Sequence, residues 1–252
     1  MKILVQLARH ARRSVVKRGV LGTLVLAVAA SGVLVQNLRP AHRHAQRLQR
    51  QAARDFDRKY NVDTAGIISQ GSLDVRSRNQ LFATRYEPIQ DVDFAALLAD
   101  TGLRYQDYTF IDLGSGKGRA VLLAAALPFR RIVGVEFSRE LDAVARDNLE
   151  RYTGERNCTN IELACMDAAR YDFPEDSPLV LYLYNPFERP VMQQVADNLA
   201  ASFSRRPRRM LVLYFTPHCA DVWDSLEFLQ KKRATNLLCL YDSGDPPPAG
   251  PA

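Results

Sequence analysis

The sequence predicts an α/β chain: a seven-stranded, mostly parallel sheet with helices on both faces, a C-terminal antiparallel hairpin, and an N-terminal hydrophobic helix in front. Three observations carry this expectation. From residue 108 onward, short apolar runs rich in Val, Ile, Leu and Tyr alternate with amphipathic stretches of helical period. Near the end two strand-like runs, 226–231 and 236–241, are separated by too few residues for a crossover helix, so they must pair antiparallel. Residues 19–36, GVLGTLVLAVAASGVLVQ, hold no charge.

Taken in order, the N-terminal region comes first. The chain has 252 residues and a net charge of +6, but the charge is unevenly distributed. Residues 1–60 carry 13 Lys and Arg against Asp55 and Asp57, a net +11; the remaining 192 residues are net −5. The basic character therefore belongs to the N-terminal segment, and no nucleic-acid partner is expected for the main domain. The 18 uncharged residues just reach the length of a membrane-spanning helix. They are flanked by Arg12, Arg13, Lys17 and Arg18 before and by Arg39, Arg43, Arg47 and Arg50 after. Residues 1–40 thus read as a basic N-terminus with a single-pass anchor; both flanks are basic, so the charges do not choose its orientation, and the main domain is expected on the cytosolic side, or the matrix side in a eukaryotic mitochondrial source. A cleaved signal, suggested by Ala27-Val-Ala29, and a packed helix are the rival readings.

Residues 41–60 are polar, Arg- and Gln-rich and free of Gly and Pro, which suits a basic helical linker. Residues 61–243 form the main domain. It starts with an irregular stretch to residue 86 and a helix over 91–101, with Phe94, Leu97 and Leu98 on one face and Gly102 as its stop. Strands are predicted at 108–113, 131–136, 160–165, 179–184 and 210–215, and helices at 118–126, 139–151 and 191–203. The tail 244–252, with four prolines, is expected to be disordered. Cys158, Cys165, Cys219 and Cys239 form no C-x-x-C pair, so they read as reduced, mostly buried thiols, with no metal site expected.

The strongest chemical signal is Phe110-Ile-Asp-Leu-Gly-Ser-Gly-Lys-Gly-Arg119. A strand runs into Gly114, Ser115, Gly116 and Gly118, and a helix follows; such glycines let the backbone turn sharply and approach a ligand closely. Asp112 precedes the first glycine by two residues, where it would repel a pyrophosphate and attract a cationic or hydroxyl-bearing group. The spacing is G-x-G-x-G, which is neither the dinucleotide fingerprint nor a P-loop. Glu136 ends the next strand, 24 residues beyond Asp112, and can accept both hydroxyls of a ribose. Asp167 follows the third strand and can accept from an exocyclic amine. Each acid alone reads most simply as a helix cap or loop charge; three in order at neighbouring strand ends read as a cofactor site. Lys117 and Arg119 read either as solvent-facing first-turn residues or as partners of a ligand carboxylate, and His218 as a lone histidine after the fifth strand.

The fourth strand delivers Asn185-Pro186-Phe187 at its tip. The Asn185 side-chain oxygen can accept from an amine N–H and aim the nitrogen lone pair, and Phe187 can border a cationic donor or stack on a planar acceptor. The plainer reading is a turn in which Asn185 and Pro186 only cap the next helix.

With these residues in hand, the stretch from about 110 to 241 resembles the class I S-adenosylmethionine-dependent methyltransferases, which have a Rossmann-like fold. The resemblance implies S-adenosyl-L-methionine as cofactor. Its amino-acid part would lie over Asp112–Gly118, its ribose on Glu136 and its adenine beside Asp167. Asn185-Pro186-Phe187 is similar to the Asn-Pro-Pro-aromatic signature of amino-directed enzymes, one proline short. Tyr86-Glu-Pro88, together with the N-terminal apolar segment, is similar to small lysine methyltransferases that modify a rotary ATP-synthase subunit. The glycine loop and the Asn-bearing fourth strand are similar also to histone-core lysine methyltransferases. These likenesses imply N-directed transfer to a protein lysine or another amine, with Asn185, Pro186 and Phe187 at the acceptor and Tyr86 over the cofactor. Two other classes stay open: a non-catalytic scaffold that keeps the fold, and a nicotinamide-dependent oxidoreductase, which the loop spacing disfavours.

Overall fold

A computed structural model describes residues 40–66, 94, 97, 98 and 101–245. The apolar segment 19–36, Tyr86 and the tail beyond residue 245 lie outside the described residues. Among the described residues no helix is long and apolar enough to cross a membrane.

Seven strands form one sheet: β1 (Thr109–Leu113), β2 (Arg131–Glu136), β3 (Ile161–Cys165), β4 (Leu179–Tyr184), β5 (Met210–Phe215), β6 (Gln230–Ala234) and β7 (Leu238–Asp242). Their order is β3-β2-β1-β4-β5-β7-β6. The first five are parallel, whereas β7 runs antiparallel to both β5 and β6. Every residue of β1 and β5 is buried, because helices cover both faces; this is why these strands are continuous apolar runs and do not alternate. One core lies on the face of helix α4 (Arg189–Arg205), where Val191, Val195 and Leu199 meet Leu181, Leu183 and Val212. The other lies on the face of helix α2 (Arg119–Ala125) and of Phe94, Leu97 and Leu98, which are helical as expected. Helix α3 (Arg139–Arg151) starts at Ser138, whose hydroxyl accepts from the Leu141 amide at 3.3 Å. The chain moves outward from β1 to β2 and β3, then crosses back to β4 on the other side of β1. The carboxyl ends of β1 and β4 therefore flank a topological switch point, where open α/β sheets bind ligands.

Two sequence expectations need correction. Of the run 226–231 only Gln230 and Lys231 are in a strand. A short helix, α5 (Ala220–Asp224), buries Trp223, and the following turn tucks Leu226 and Leu229 into the core while Phe228 stacks on Phe203 at 4.2 Å. The strand proper is the polar Gln230–Ala234, exposed along its whole length. It is the sheet's edge, and Lys231, Lys232 and Arg233 there discourage pairing with another chain. Apolar periodicity pointed to the residues that pack, not to the edge that pairs.

The second correction concerns the helix read as a linker. Helix α1 (Pro40–Tyr60) exists, but its C-terminal half is docked. Ala53 and Phe56 are buried, and Phe56 and Val62 cluster with Leu122 of α2 and Tyr152 after α3. Asn61 ends the helix in the left-handed conformation (φ 56°). The Asp57 carboxylate then binds the returning chain, accepting from the amides of Thr64 and Ala65 and from the Thr64 hydroxyl at 2.6–3.0 Å.

Candidate cofactor and acceptor site

The glycine loop is stitched to β2 at its start, where the amides of Gly114 and Ser115 both donate to the Val135 carbonyl at 2.8 and 3.0 Å. Gly114, Gly116 and Gly118 have φ of 82°, 54° and 84°, a region that strains residues with a Cβ. Gly114 also has no room for one: a Cβ there would lie 2.4 Å from Cβ of Pro186. The glycine loop and the Asn185-Pro186-Phe187 turn thus meet at a bare backbone. Beside this contact a shallow cleft is lined by Gly114, Phe137, Met166, Asp167, Phe187 and Val191, among others.

Asp112 and Glu136 are both 4% exposed. Among the described residues no hydrogen bond reaches the Asp112 carboxyl; burial, and next the charge of Glu136, push its pKa well above the usual carboxylate range. Glu136 accepts from the Gly116 amide at 2.9 Å and the Ser138 amide at 2.8 Å. Burial raises its pKa to about 7 in spite of these donors. Asp167 is half-buried on the cleft wall and accepts from the Ala169 amide at 3.0 Å, so it caps a 3-10 turn as well. The Ser115 hydroxyl is buried with no partner among the described residues.

Asn185 follows β4 with φ 42°, and Thr216 follows the neighbouring β5 with φ 45°. Left-handed backbone at non-glycine residues costs on the order of 1–3 kcal/mol and concentrates at functional sites. The Asn185 amide orientation follows from its neighbours. The Cys219 amide donates to the Tyr214 hydroxyl at 3.1 Å, and that hydroxyl donates to Asn185 Oδ1 at 3.2 Å. The Asn185 Nδ2 then faces Nδ1 of His218 at 3.1 Å, a hydrogen bond that the ring accepts in the tautomer with its proton on Nε2. Burial raises the Tyr214 pKa, keeping it a donor. His218, exposed and bland in the sequence, thus touches Asn185; its position two residues beyond Thr216 signals this contact only once the β4–β5 register is known. Phe187 is buried on the cleft wall.

Lys117 and Arg119 do not face solvent. They are 7% and 2% exposed and point at the segment after α1. Lys117 Nζ donates to Asp63 at 2.7 Å, and Arg119 donates to the Thr64 hydroxyl at 3.0 Å and lies 3.9 Å above the Phe56 ring.

The donor and acceptor set fits S-adenosylmethionine. Buried acids at the ends of β1 and β2 suit hydroxyls and a cationic amine, Asp167 suits an amino group, and Phe137 and Met166 offer an apolar wall to a planar base.

Residues 110–205 match a family model described as a methyltransferase domain. No curated protein matches the sequence. Among solved structures, a predicted N6-adenine-specific DNA methylase from Listeria monocytogenes is similar, at 17% identity and TM-score 0.49 over 63% of this chain. The match spans only 52% of that protein. A ribosomal protein L11 methylase from Lactobacillus delbrueckii subsp. bulgaricus is similar at 15% identity and TM-score 0.46, over 62% of this chain and 79% of that one. An RNA methyltransferase from Salinibacter ruber, in complex with S-adenosyl-L-homocysteine, is similar at 20% identity and TM-score 0.42, over 62% and 92%. The glycine loop and the strand-end acids fall in the same stretch of chain, residues 110–205, that matches the methyltransferase-domain model.

Proposed function

We propose that the protein transfers the methyl group of S-adenosylmethionine to an amine nitrogen, with a protein lysine as the favoured acceptor. The observation that carries this reading is the fixed Asn185 amide at the tip of β4, its oxygen and nitrogen assigned by Tyr214 and His218. When bound, the cofactor supplies an electrophilic methyl on a cationic sulfur. Glu136 and Asp167 hold its ribose and adenine ends, and the Gly114–Pro186 contact sets how closely the two substrates approach. In this reading the Asn185 side-chain oxygen would accept from the amine N–H, turning the nitrogen's own pair toward the methyl. Phe187 excludes water from that path. A lysine, charged near neutral pH, would first lose one proton to solvent; once neutral its nitrogen needs no further acid–base help, and positioning would supply most of the rate.

The test is transfer of labelled methyl groups from S-adenosylmethionine by the full-length chain into proteins of a cell extract, followed by acid hydrolysis. Methyl-lysine among the products, lost in Asn185→Ala while cofactor binding persists, supports the reading. Label confined to oxygen or sulfur acceptors sinks it. Cofactor binding with no transfer to any acceptor favours the scaffold alternative.

The same reading includes a membrane anchor at residues 19–36. It is supported by the exposed Arg47, Arg50, Arg54 and Arg58, which share one face of α1 and suit anionic headgroups. Extraction of the full-length protein from membranes by carbonate, without detergent, would refute the anchor.

A further inference from the structure

The glycine loop is held from outside the matched domain. Asn148, on α3 and fully buried, is the centre of the contact. Its Nδ2 donates to the carbonyls of Lys117 (2.9 Å) and Asp63 (3.0 Å), and its Oδ1 accepts from the Asp63 amide at 2.6 Å. One side chain therefore ties the backbone of the loop to the backbone of the segment leaving α1. A second tie runs through the Lys117 side chain, which spans to the Asp63 carboxylate at 2.7 Å and the Ala65 carbonyl at 3.4 Å. A third is Arg119, the first residue of α2, set over Phe56 and bonded to Thr64 and to the Ala53 carbonyl. Lys117, Arg119 and Asn148 come from the loop and the two helices around it; Ala53, Phe56 and the stretch 63–65 all belong to α1 and its exit.

Such a geometry does more than attach a helix. Lys117 lies between Gly116 and Gly118, both at positive φ, in a backbone that is soft by composition. A loop of that kind loses affinity to the entropy of ordering unless it is held in its bound shape beforehand. Its amides at Gly114, Ser115 and Gly116 are pinned on the β2 side. The Lys117 carbonyl and side chain are pinned on the α1 side. We infer that Asp63, Lys117 and Asn148 are positioning residues for the cofactor loop, so that cofactor affinity depends on the docking of α1. This rests on the methyltransferase reading for the identity of the ligand, but not for the state of the loop.

The experiment uses the full-length chain and two readouts: hydrogen exchange of the amides at 114–118 without ligand, and calorimetric titration with S-adenosylhomocysteine. Asp63→Ala removes a carboxylate that is 61% exposed, so the fold should survive it. The expected result is faster exchange across the loop and affinity weaker by about tenfold, with both restored in Asp63→Glu. Asn148→Ala should act in the same direction and more strongly. Loop exchange and affinity within twofold of the parent in Asp63→Ala would overturn the proposal. So would faster exchange at unchanged affinity, which would reduce the contact to packing. A folded parent that binds no S-adenosylhomocysteine would instead sink the cofactor reading, and loop exchange alone would then decide whether the clamp exists.

Discussion

Nδ2 of Asn185 stands 3.1 Å from Nδ1 of His218, and the amide that makes this contact is aligned at its other end by the Tyr214 hydroxyl. The chain of donors runs one way, from the Cys219 amide through Tyr214 and Asn185 to His218. Tyr214→Phe removes the donor that orients Asn185 without changing the apolar packing of the ring. Its expected effect is a fall of about tenfold in kcat with the cofactor Kd unchanged, the signature of lost acceptor positioning. His218→Ala should act in the same direction and less strongly. Steady-state kinetics beside calorimetry checks this; an equal loss in cofactor binding would place the relay on the wrong substrate.

Glu136 gives the site a pH dependence of definite sign. Its pKa rises from 4.5 to about 7 on folding, so the folded state holds the proton more tightly than the unfolded chain. The contribution to stability is fully present below the unfolded value near 4.5 and is lost as pH rises toward 7. At ~1.4 kcal/mol per unit the whole effect is about 3 kcal/mol. Denaturation of the ligand-free protein from pH 4.5 to 8 should show this slope, and Glu136→Gln should flatten it. If the carboxylate accepts ribose hydroxyls, the same substitution weakens cofactor binding most at pH 8, where the parent is ionised. An unchanged affinity there would remove Glu136 from the cofactor site.

Gly114→Ala tests the contact between the two halves of the site. The new methyl would sit 2.4 Å from Cβ of Pro186 and the backbone would stay at φ 82°. Left-handed strain and overpacking together should cost about 2–4 kcal/mol. Because relief requires the loop and the Asn185 turn to part, transfer should fall further than cofactor affinity. A variant with wild-type melting temperature and turnover would show that the two loops do not need this approach.

Phe56→Ala measures what the docking of α1 contributes. The ring is 3% exposed, packs edge-on against Tyr60 at 4.7 Å and lies beneath Arg119. Its removal leaves a cavity and a buried guanidinium without its aromatic face, a loss of about 3–5 kcal/mol in global stability. Chemical denaturation would show it as a lowered midpoint. A change below about 1 kcal/mol would mean that α1 is an appendage and that the domain begins after it.

The central strands and their acids were legible in the sequence because burial on both faces forces unbroken apolar runs. The acids near the ends of these runs stand out: Asp112 lies within β1, Glu136 ends β2 and Asp167 lies two residues past β3, and β2, α3, β4 and β5 have the predicted bounds. The edge strand was not legible, because an exposed strand is selected for charge and its apolar neighbours belong to a turn. The same limit applies within the site. Nothing local distinguishes Lys117 and Arg119 from solvent-facing cations, marks His218 as a neighbour of Asn185, or separates α1 from a linker. Their roles arise from pairs far apart in the chain, such as Lys117 with Asp63 and Asn185 with His218, brought together by helix packing and by the register of β4 against β5. Periodicity records which face of an element is buried; the partner it is buried against is decided only when the whole sheet closes around the switch point.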